Sequence, residues 1–331
     1  MLMRSIAKSA FTAFAALVVG AGAGAARADD AVTLRLDWSA EGYHLPFYLG
    51  LDAGYYKEQG IDLTIGEGKG SALTVQLVGR GSDTFGFADG TAAARAIGSG
   101  VPVKVVMGIV KRTLMSILVN RESKIMTPAD LVGKTISVSP GDANGMLLPA
   151  FMKAHNLPAG SINVVSVEPS AKYRLLGVGK VDGVAAYGAV SVITMRRLGV
   201  EVRKFDYADS GIVIPAFGIV ASNETIEKNP DLVRRFNAAT AKSWLKAKQD
   251  QEAAYKAGEK HLTQVKQQEA TYRQKLAAVM DYLDTPNTKG KPFGWMSDQD
   301  WKAAEQTLVE YMNLKPQPSL NAYYTNEFVG Q

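Results

Sequence analysis

Apolar residues fall at every second position in Val32, Leu34 and Leu36, with Thr33 and Arg35 between them, and this spacing predicts a strand. A loop over 37–42 follows, then a helix over 46–57 that ends at Gly60, a residue suited to a left-handed C-cap. Ile61, Leu63 and Ile65 alternate again and predict a second strand. The Gly-rich loop 66–70 leads to Ser71, which reads as the N-cap of a helix over 72–78. A short strand over 85–88, a helix over 91–97 and a buried strand over 101–110 complete the first unit. Such strand–helix alternation predicts a mostly parallel sheet in an α/β fold.

The pattern then restarts. Thr127-Pro128-Ala129-Asp130-Leu131 reads as a capped turn with Pro at the first helical position. Strands are predicted over 134–139, 164–167 and 183–186, and helices over 145–155 and 171–177. The runs 77–83 and 175–182 both read helix, tight Gly turn, Asp, strand. Any helix-to-strand turn favours Gly, but the echo also fits two similar α/β lobes, the reading adopted. After Ile219 the composition shifts. Asn229-Pro230-Asp231 opens an amphipathic helix with Leu232, Val233, Phe236, Thr240 and Trp244 on one face. Helical segments over 251–283 and 298–313 follow, and these C-terminal helices are expected to pack on the first lobe.

Composition narrows the function. The 331 residues are 47% hydrophobic and 21% charged, which is globular, and one large or two ordinary domains fit the length. The absence of cysteine removes disulfides, thiolate metal sites, cysteine nucleophiles and a lipid anchor on cysteine. His44, His155 and His261 lie far apart, so no local histidine metal motif exists and neither metal nor cofactor is expected. The net charge is +5, but Arg4, Lys8 and Arg27 lie in an acid-free start of 28 residues. Without them 34 basic groups face 32 acidic ones, which argues against nucleic acid as a partner. Arg4 and Lys8, the Gly/Ala-rich core 10–26 and Ala26-Arg27-Ala28 read as a cleavable signal peptide over 1–28, cut before Asp29. The expected location is the periplasm, without a lipid tether.

The segments Leu36-Asp37-Trp38, Tyr43-His44-Leu45-Pro46-Phe47-Tyr48 and Gly54-Tyr55-Tyr56-Lys57-Glu58-Gln59-Gly60-Ile61-Asp62-Leu63-Thr64-Ile65 are specific. They resemble the opening of the family that holds nitrate, sulfonate and taurine binding proteins, thiamin-pyrimidine-precursor binding proteins and the fungal pyrimidine synthase, with the pyrimidine branch nearest. The resemblance covers most of residues 32–225. It implies the two-lobed, type II periplasmic-binding-protein fold, a Venus-flytrap architecture. Lobe one then holds 29–115 with 217–331, and lobe two holds 116–216, with crossovers near 113–119 and 214–220.

The resemblance also implies a role as the solute receptor of an ABC importer, a monomer that delivers a small, planar, polar nutrient to a membrane permease with its ATPase. The ligand would be like a thiamin pyrimidine precursor, or a sulfonate- or nitrate-type anion. The alternative is an enzyme of the pyrimidine-synthase type. Counted without gaps, that enzyme's lysine and histidine positions fall on Ala88 and Ala92, and its cysteine cluster falls near 212–216, where this chain has none. No Schiff base can form at Ala88.

The candidate ligand-binding residues are Trp38, His44, Gly70, Ser71, Asp89, Thr113, Gly141, Asn144 and Tyr187. Trp38 reads either as plain core or as a stacking surface in the crevice of an α/β sheet. His44 is either structural or a donor to the ligand. Tyr187 stands where the pyrimidine branch tends to place a glutamate, and it is expected to face Trp38 across the cleft. The loops 68–71 and 139–145 precede helices whose N-termini could receive an anion, or could be ordinary caps. Asp142 would oppose an anion and could pair with a ligand amine.

Overall fold

The computed structural model describes residues 28–330, so the predicted signal peptide lies outside the described residues except for its last position. The chain builds β1 (Asp30–Arg35), α1 (Leu45–Asp52), β2 (Ile61–Gly66), α2 (Ser71–Gly79), β3 (Phe85–Asp89), α3 (Gly90–Gly98) and β4 (Val103–Val110). It then crosses to β5 (Met115–Asn120), β6 (Thr135–Val138), α4 (Ala143–Met146), α5 (Leu148–Ala154), β7 (Asn163–Ser166), α6 (Pro169–Gly177), β8 (Gly183–Tyr187), α7 (Gly188–Arg197) and β9 (Val202–Asp206). It returns as β10 (Phe217–Ser222) and ends in α8 (Asn223–Lys228), α9 (Pro230–Gln249), α10 (Gln251–His261), α11 (Thr263–Gln267), α12 (Glu269–Met280) and α13 (Asp298–Met312).

Two five-stranded sheets result, ordered β2-β1-β3-β10-β4 and β7-β6-β8-β5-β9. In the first, β1 runs parallel to β2 and β3 while β10 runs antiparallel to β3 and β4. In the second, β6 runs parallel to β7 and β8 while β5 runs antiparallel to β8 and β9. The sheets are therefore mixed, each carrying one reversed strand that arrives from the other half. Links 111–114 and 207–216 join the halves, and β5 begins as soon as the first link ends.

The first half is held by aromatic packing: Phe85 stacks on Phe236 of α9 with centroids 4.0 Å apart, and Trp244 meets Phe47 edge-on at 5.7 Å. Burying one such side chain contributes about 1.5–3 kcal/mol. The C-terminal helices pack on the first half as expected, α9 and α10 on α1, α12 on the turn 42–44 and α13 on α3, and the last two also bridge to the second half, α12 to α7 and α13 to α5.

Two helix starts also differ from the pattern. Gly70, at φ +119°, is the N-cap of α2, and Ser71 is already helical. The helix expected over 145–155 starts at Ala143 under an Asp142 cap and restarts after Leu147, because Pro149 lacks the N–H that a continuous helix needs. Among the described residues, no helix is long and apolar enough to cross a membrane.

Candidate functional site

Between the halves lies a narrow cleft with a cavity volume of about 30 Å³. The first half contributes Asp37, Trp38, Glu41, Tyr43, Gly70 and Ser71, and the second contributes Asp142, Ala143, Asn144, Lys172, Tyr173, Tyr187, Val190 and Ser191. Lys275 of α12 closes the wall.

The first-half wall is built on the end of β1. The loop after Arg35 is stitched to the Gly-rich loop: the Gly68 N–H donates to the Trp38 carbonyl (2.9 Å) and the Gly70 N–H to the Asp37 carbonyl (2.8 Å). Glycine is required at 68, where a Cβ would stand 2.0 Å from the Leu36 carbonyl oxygen. Beneath this wall, His44 is fully buried. Its Nδ1 accepts the Glu41 N–H (2.9 Å), so Nε2 carries the ring proton and donates it to Asp37 Oδ1 (2.7 Å). Both ring nitrogens are engaged and the residue does not reach the cleft. His44 thus orients Asp37, which fits the structural one of its two readings. Burial raises the Asp37 pKa, and the bond and charge interaction with His44 oppose that rise.

The second-half wall rests on a buried ion pair. Asp142 Oδ2 accepts from Lys172 Nζ (2.5 Å) and from the Ser139 N–H (3.0 Å), while Oδ1 accepts the Gly145 N–H (2.6 Å). The start of α4 thus already holds its own carboxylate, which fits the ordinary-cap reading of loop 139–145, and Asp142 is paired with Lys172. The Ala72 N–H at the start of α2 is also taken, by the Gly141 carbonyl (3.3 Å).

The remaining candidates separate clearly. Trp38, Gly70, Ser71, Asn144 and Tyr187 line the cleft. Ser71 Oγ accepts the Asp89 N–H (3.1 Å), so its hydroxyl braces β3 instead of capping α2. Asp89 is fully buried and engaged, accepting from the Thr91 N–H (2.7 Å) and from the Tyr187 hydroxyl (3.1 Å). It lies behind the wall and not among the residues that line the cleft. Gly141 is not among the lining residues, and its carbonyl accepts the Ala72 N–H. Thr113 lies on the far side of the link, beside Arg112, Asp209 and Tyr282, and so outside the cleft. The Tyr187 ring packs on Phe217, with centroids 4.9 Å apart at 64°. Trp38 is half-buried on the opposite wall.

Asn144 Oδ1 is buried and finds no hydrogen-bond partner among the described residues, although the residue lines the cleft and is only 3% exposed. The wall also carries four aromatic rings (Trp38, Tyr43, Tyr173, Tyr187), three carboxylates (Asp37, Glu41, Asp142) and two lysines, with no arginine. Lys275 pairs with Glu41 and Lys172 with Asp142. Burial raises the Tyr43 and Tyr187 phenols well above the usual tyrosine range, so both stay protonated donors.

Sequence reasoning missed Asp37, Glu41, Tyr43, Lys172, Tyr173 and Lys275 as wall residues. Asp37 and Tyr43 sit inside the family-like opening and could have been found there. Lys275 arrives from a helix with no chemical signature. Among the described residues, no group of three or more His, Cys, Asp or Glu is placed to hold a metal ion.

Comparison with known proteins agrees with this construction. The riboflavin-binding protein RibY of Chloroflexus aurantiacus is 23% identical over 303 residues, 90% of this chain and 86% of that protein. A formylaminopyrimidine-binding protein of Halalkalibacterium halodurans is 21% identical over 284 residues, covering 82% of this chain and 83% of its own. The alkanesulfonate-binding protein SsuA of Xanthomonas axonopodis, solved with MOPS, superposes with a TM-score of 0.70 at 17% identity, over 90% of this chain and all of its own. The shared fold is the two-lobed periplasmic-binding-protein architecture. The family model described as NMT1/THI5 like matches residues 41–254, and the chain belongs to that family.

Proposed function

We propose that this protein is the periplasmic solute receptor of an ABC importer and that it captures a planar heterocycle bearing N–H donors. The observation that carries the reading is the orphaned Asn144 Oδ1, a buried acceptor in a wall of four aromatic rings. A buried carbonyl without a partner costs about 1–3 kcal/mol. A ligand N–H would remove that cost, and flat rings on both halves suit a flat ligand. The two relatives named for riboflavin and formylaminopyrimidine support the same class.

A sulfonate or nitrate fits less well. The wall presents three carboxylates against two lysines, both lysines are paired, and the start of α4 already holds the Asp142 carboxylate. Catalysis of the pyrimidine-synthase kind is not proposed: Ala88 and Ala92 are both packed into the core of the first half. The receptor would close 116–216 over 29–115 and 217–331 and present the closed form to a permease with its ATPase.

Calorimetry with riboflavin, 4-amino-5-hydroxymethyl-2-methylpyrimidine, nitrate and MOPS tests this reading, beside mass spectrometry of molecules released from natively purified protein. One-to-one binding of a heterocycle and silence from both anions is the expected outcome. Tight binding of nitrate or MOPS without any heterocycle would overturn it.

A further inference from the structure

The end of the chain runs along β4, the edge strand of the first sheet. The Gly108 N–H donates to the Gly294 carbonyl (2.8 Å) and the Thr325 N–H to the Val105 carbonyl (3.0 Å). The same stretch is pinned to α9 at two places. Arg234 pairs with Glu327 (3.2 Å) and lies over the Phe328 ring, and Phe293 stacks on Trp244 with centroids 6.4 Å apart. Between these pins α9 offers Ala238 and Ala241, whose short side chains leave a pocket with a cavity volume of about 370 Å³. Met107 and Asn237, both buried, form its floor. Every lining residue belongs to the first half, and none lines the cleft.

Asn237 gives this pocket a chemical preference. Its Nδ2 donates to the Val106 carbonyl (2.9 Å) and to the Phe328 carbonyl (3.2 Å). Turned over, the amide would set its oxygen against two carbonyls, so these bonds fix its orientation. Oδ1 is then left buried without a hydrogen-bond partner among the described residues, on a side chain that is 2% exposed and lines the pocket. An acceptor in that state calls for a donor. Arg234 is the one charged lining residue among the described residues, and it is already paired with Glu327, so the pocket favours a neutral guest. Water would satisfy Oδ1 but leave the Phe293 and Phe328 rings wet, whereas an apolar molecule with a donor gains on both counts. An apolar cavity of about 150 Å³ holds one benzene ring, so this pocket has room for two fused rings.

We infer that this pocket is a second ligand site, independent of the cleft, for a neutral apolar molecule the size of two fused rings whose single O–H or N–H donates to Asn237 Oδ1.

Fluorescence titration of the full chain with 2-naphthol and with 2-methoxynaphthalene, which keeps the rings and has no donor, tests this. 2-Naphthol should bind, and the methyl ether should bind at least about fivefold more weakly. Ala238→Phe, at an exposed helical position, fills the pocket without entering the core and should weaken 2-naphthol at least about tenfold. Trp38→Ala should leave 2-naphthol unchanged. Equal affinity for the two probes would overturn the role of Asn237. No binding of 2-naphthol, or binding lost in Trp38→Ala and kept in Ala238→Phe, would overturn the site.

Discussion

The Tyr187 hydroxyl donates to Asp89 Oδ2 across 3.1 Å, joining the end of β8 in one half to the end of β3 in the other. The bond sits at the floor of the cleft, next to the two links, because Tyr187 is opposite Met115 in one sheet and Asp89 is opposite Phe217 in the other. It takes the hydroxyl away from the ligand. Tyr187→Phe keeps the ring and loses only this inter-half bond, so ligand affinity measured by calorimetry should fall by no more than roughly 2- to 10-fold.

Asp89 gives stability a pH dependence of definite sign. Burial pushes its carboxyl up to about 7, against the opposing hydrogen bonds from Thr91 and Tyr187, with Asp37 adding to the rise. Between pH about 4 and about 7 the folded chain holds a proton that the unfolded chain has released, so stability falls as pH rises through that window and levels off above it. The full effect is on the order of 4 kcal/mol. Asp89→Asn should remove this slope, and urea unfolding at pH 5 and pH 7.5 on both proteins measures it. Asp37, whose pKa is also raised, leaves a smaller slope of the same sign in both proteins. An unchanged slope in the variant would show that Asp89 is ionised throughout.

Asn144→Ala separates binding from folding. The carbonyl oxygen has no partner in the closed protein, so deleting it should not lower the unfolding midpoint. A ligand N–H left without its acceptor should cost about 1–3 kcal/mol, roughly 5- to 150-fold in affinity. Calorimetry and thermal melts on one preparation read both. A variant that melts earlier yet binds unchanged would place the side chain in the structural framework instead.

Trp38→Ala tests the stacking wall. Loss of an aromatic contact and of its buried area should weaken binding by about 2–4 kcal/mol, roughly 30- to 1000-fold. Trp38 is only half-buried, so the variant should stay folded, and titration of a heterocyclic ligand into it is a direct measurement. The Tyr187 ring is different: it packs on Phe217, and its removal would disturb the links between the halves.

What the sequence showed and hid follows from periodicity and distance. The alternation in 32–36 and 61–65 placed β1 and β2 because one face of each is buried. Strand β5 is buried at five of its six positions, so no alternation marks it, and its first residues read as a crossover. Strand β9 is an edge strand of half-exposed residues and left no pattern. In the site, Trp38 and Asn144 were legible because each follows a strand near a helix start. The engagement of His44 with Asp37 and of Asp142 with Lys172 was not legible. A residue type cannot show whether its polar atoms are already paired by a backbone N–H three residues away or by a lysine thirty residues on. Lys275 reaches the wall because α12 packs both on the turn 42–44 and on α7, which only the packed chain determines.

Closure itself can be tested with one methyl group. The Ala72 N–H to Gly141 carbonyl bond is a backbone contact between the halves, and it exists because Gly70 has no side chain. Gly70→Ala places a Cβ 2.9 Å from the Gly141 oxygen, at a φ of +119° that also strains any L-residue. Gly141→Ala is the matched control, since its φ of +73° is strained too but its Cβ would meet only the Ala72 methyl at 3.5 Å. Gly70→Ala alone should hold the halves apart. Losing the backbone bond, worth about 0.5–1.5 kcal/mol, should weaken ligand binding roughly 2- to 10-fold. Small-angle scattering should show ligand-induced compaction in the parent and in Gly141→Ala, and less of it in Gly70→Ala. If both variants lose compaction equally, backbone strain and not the blocked contact is responsible. If neither does, the Gly70–Gly141 approach is not what ends the closing motion.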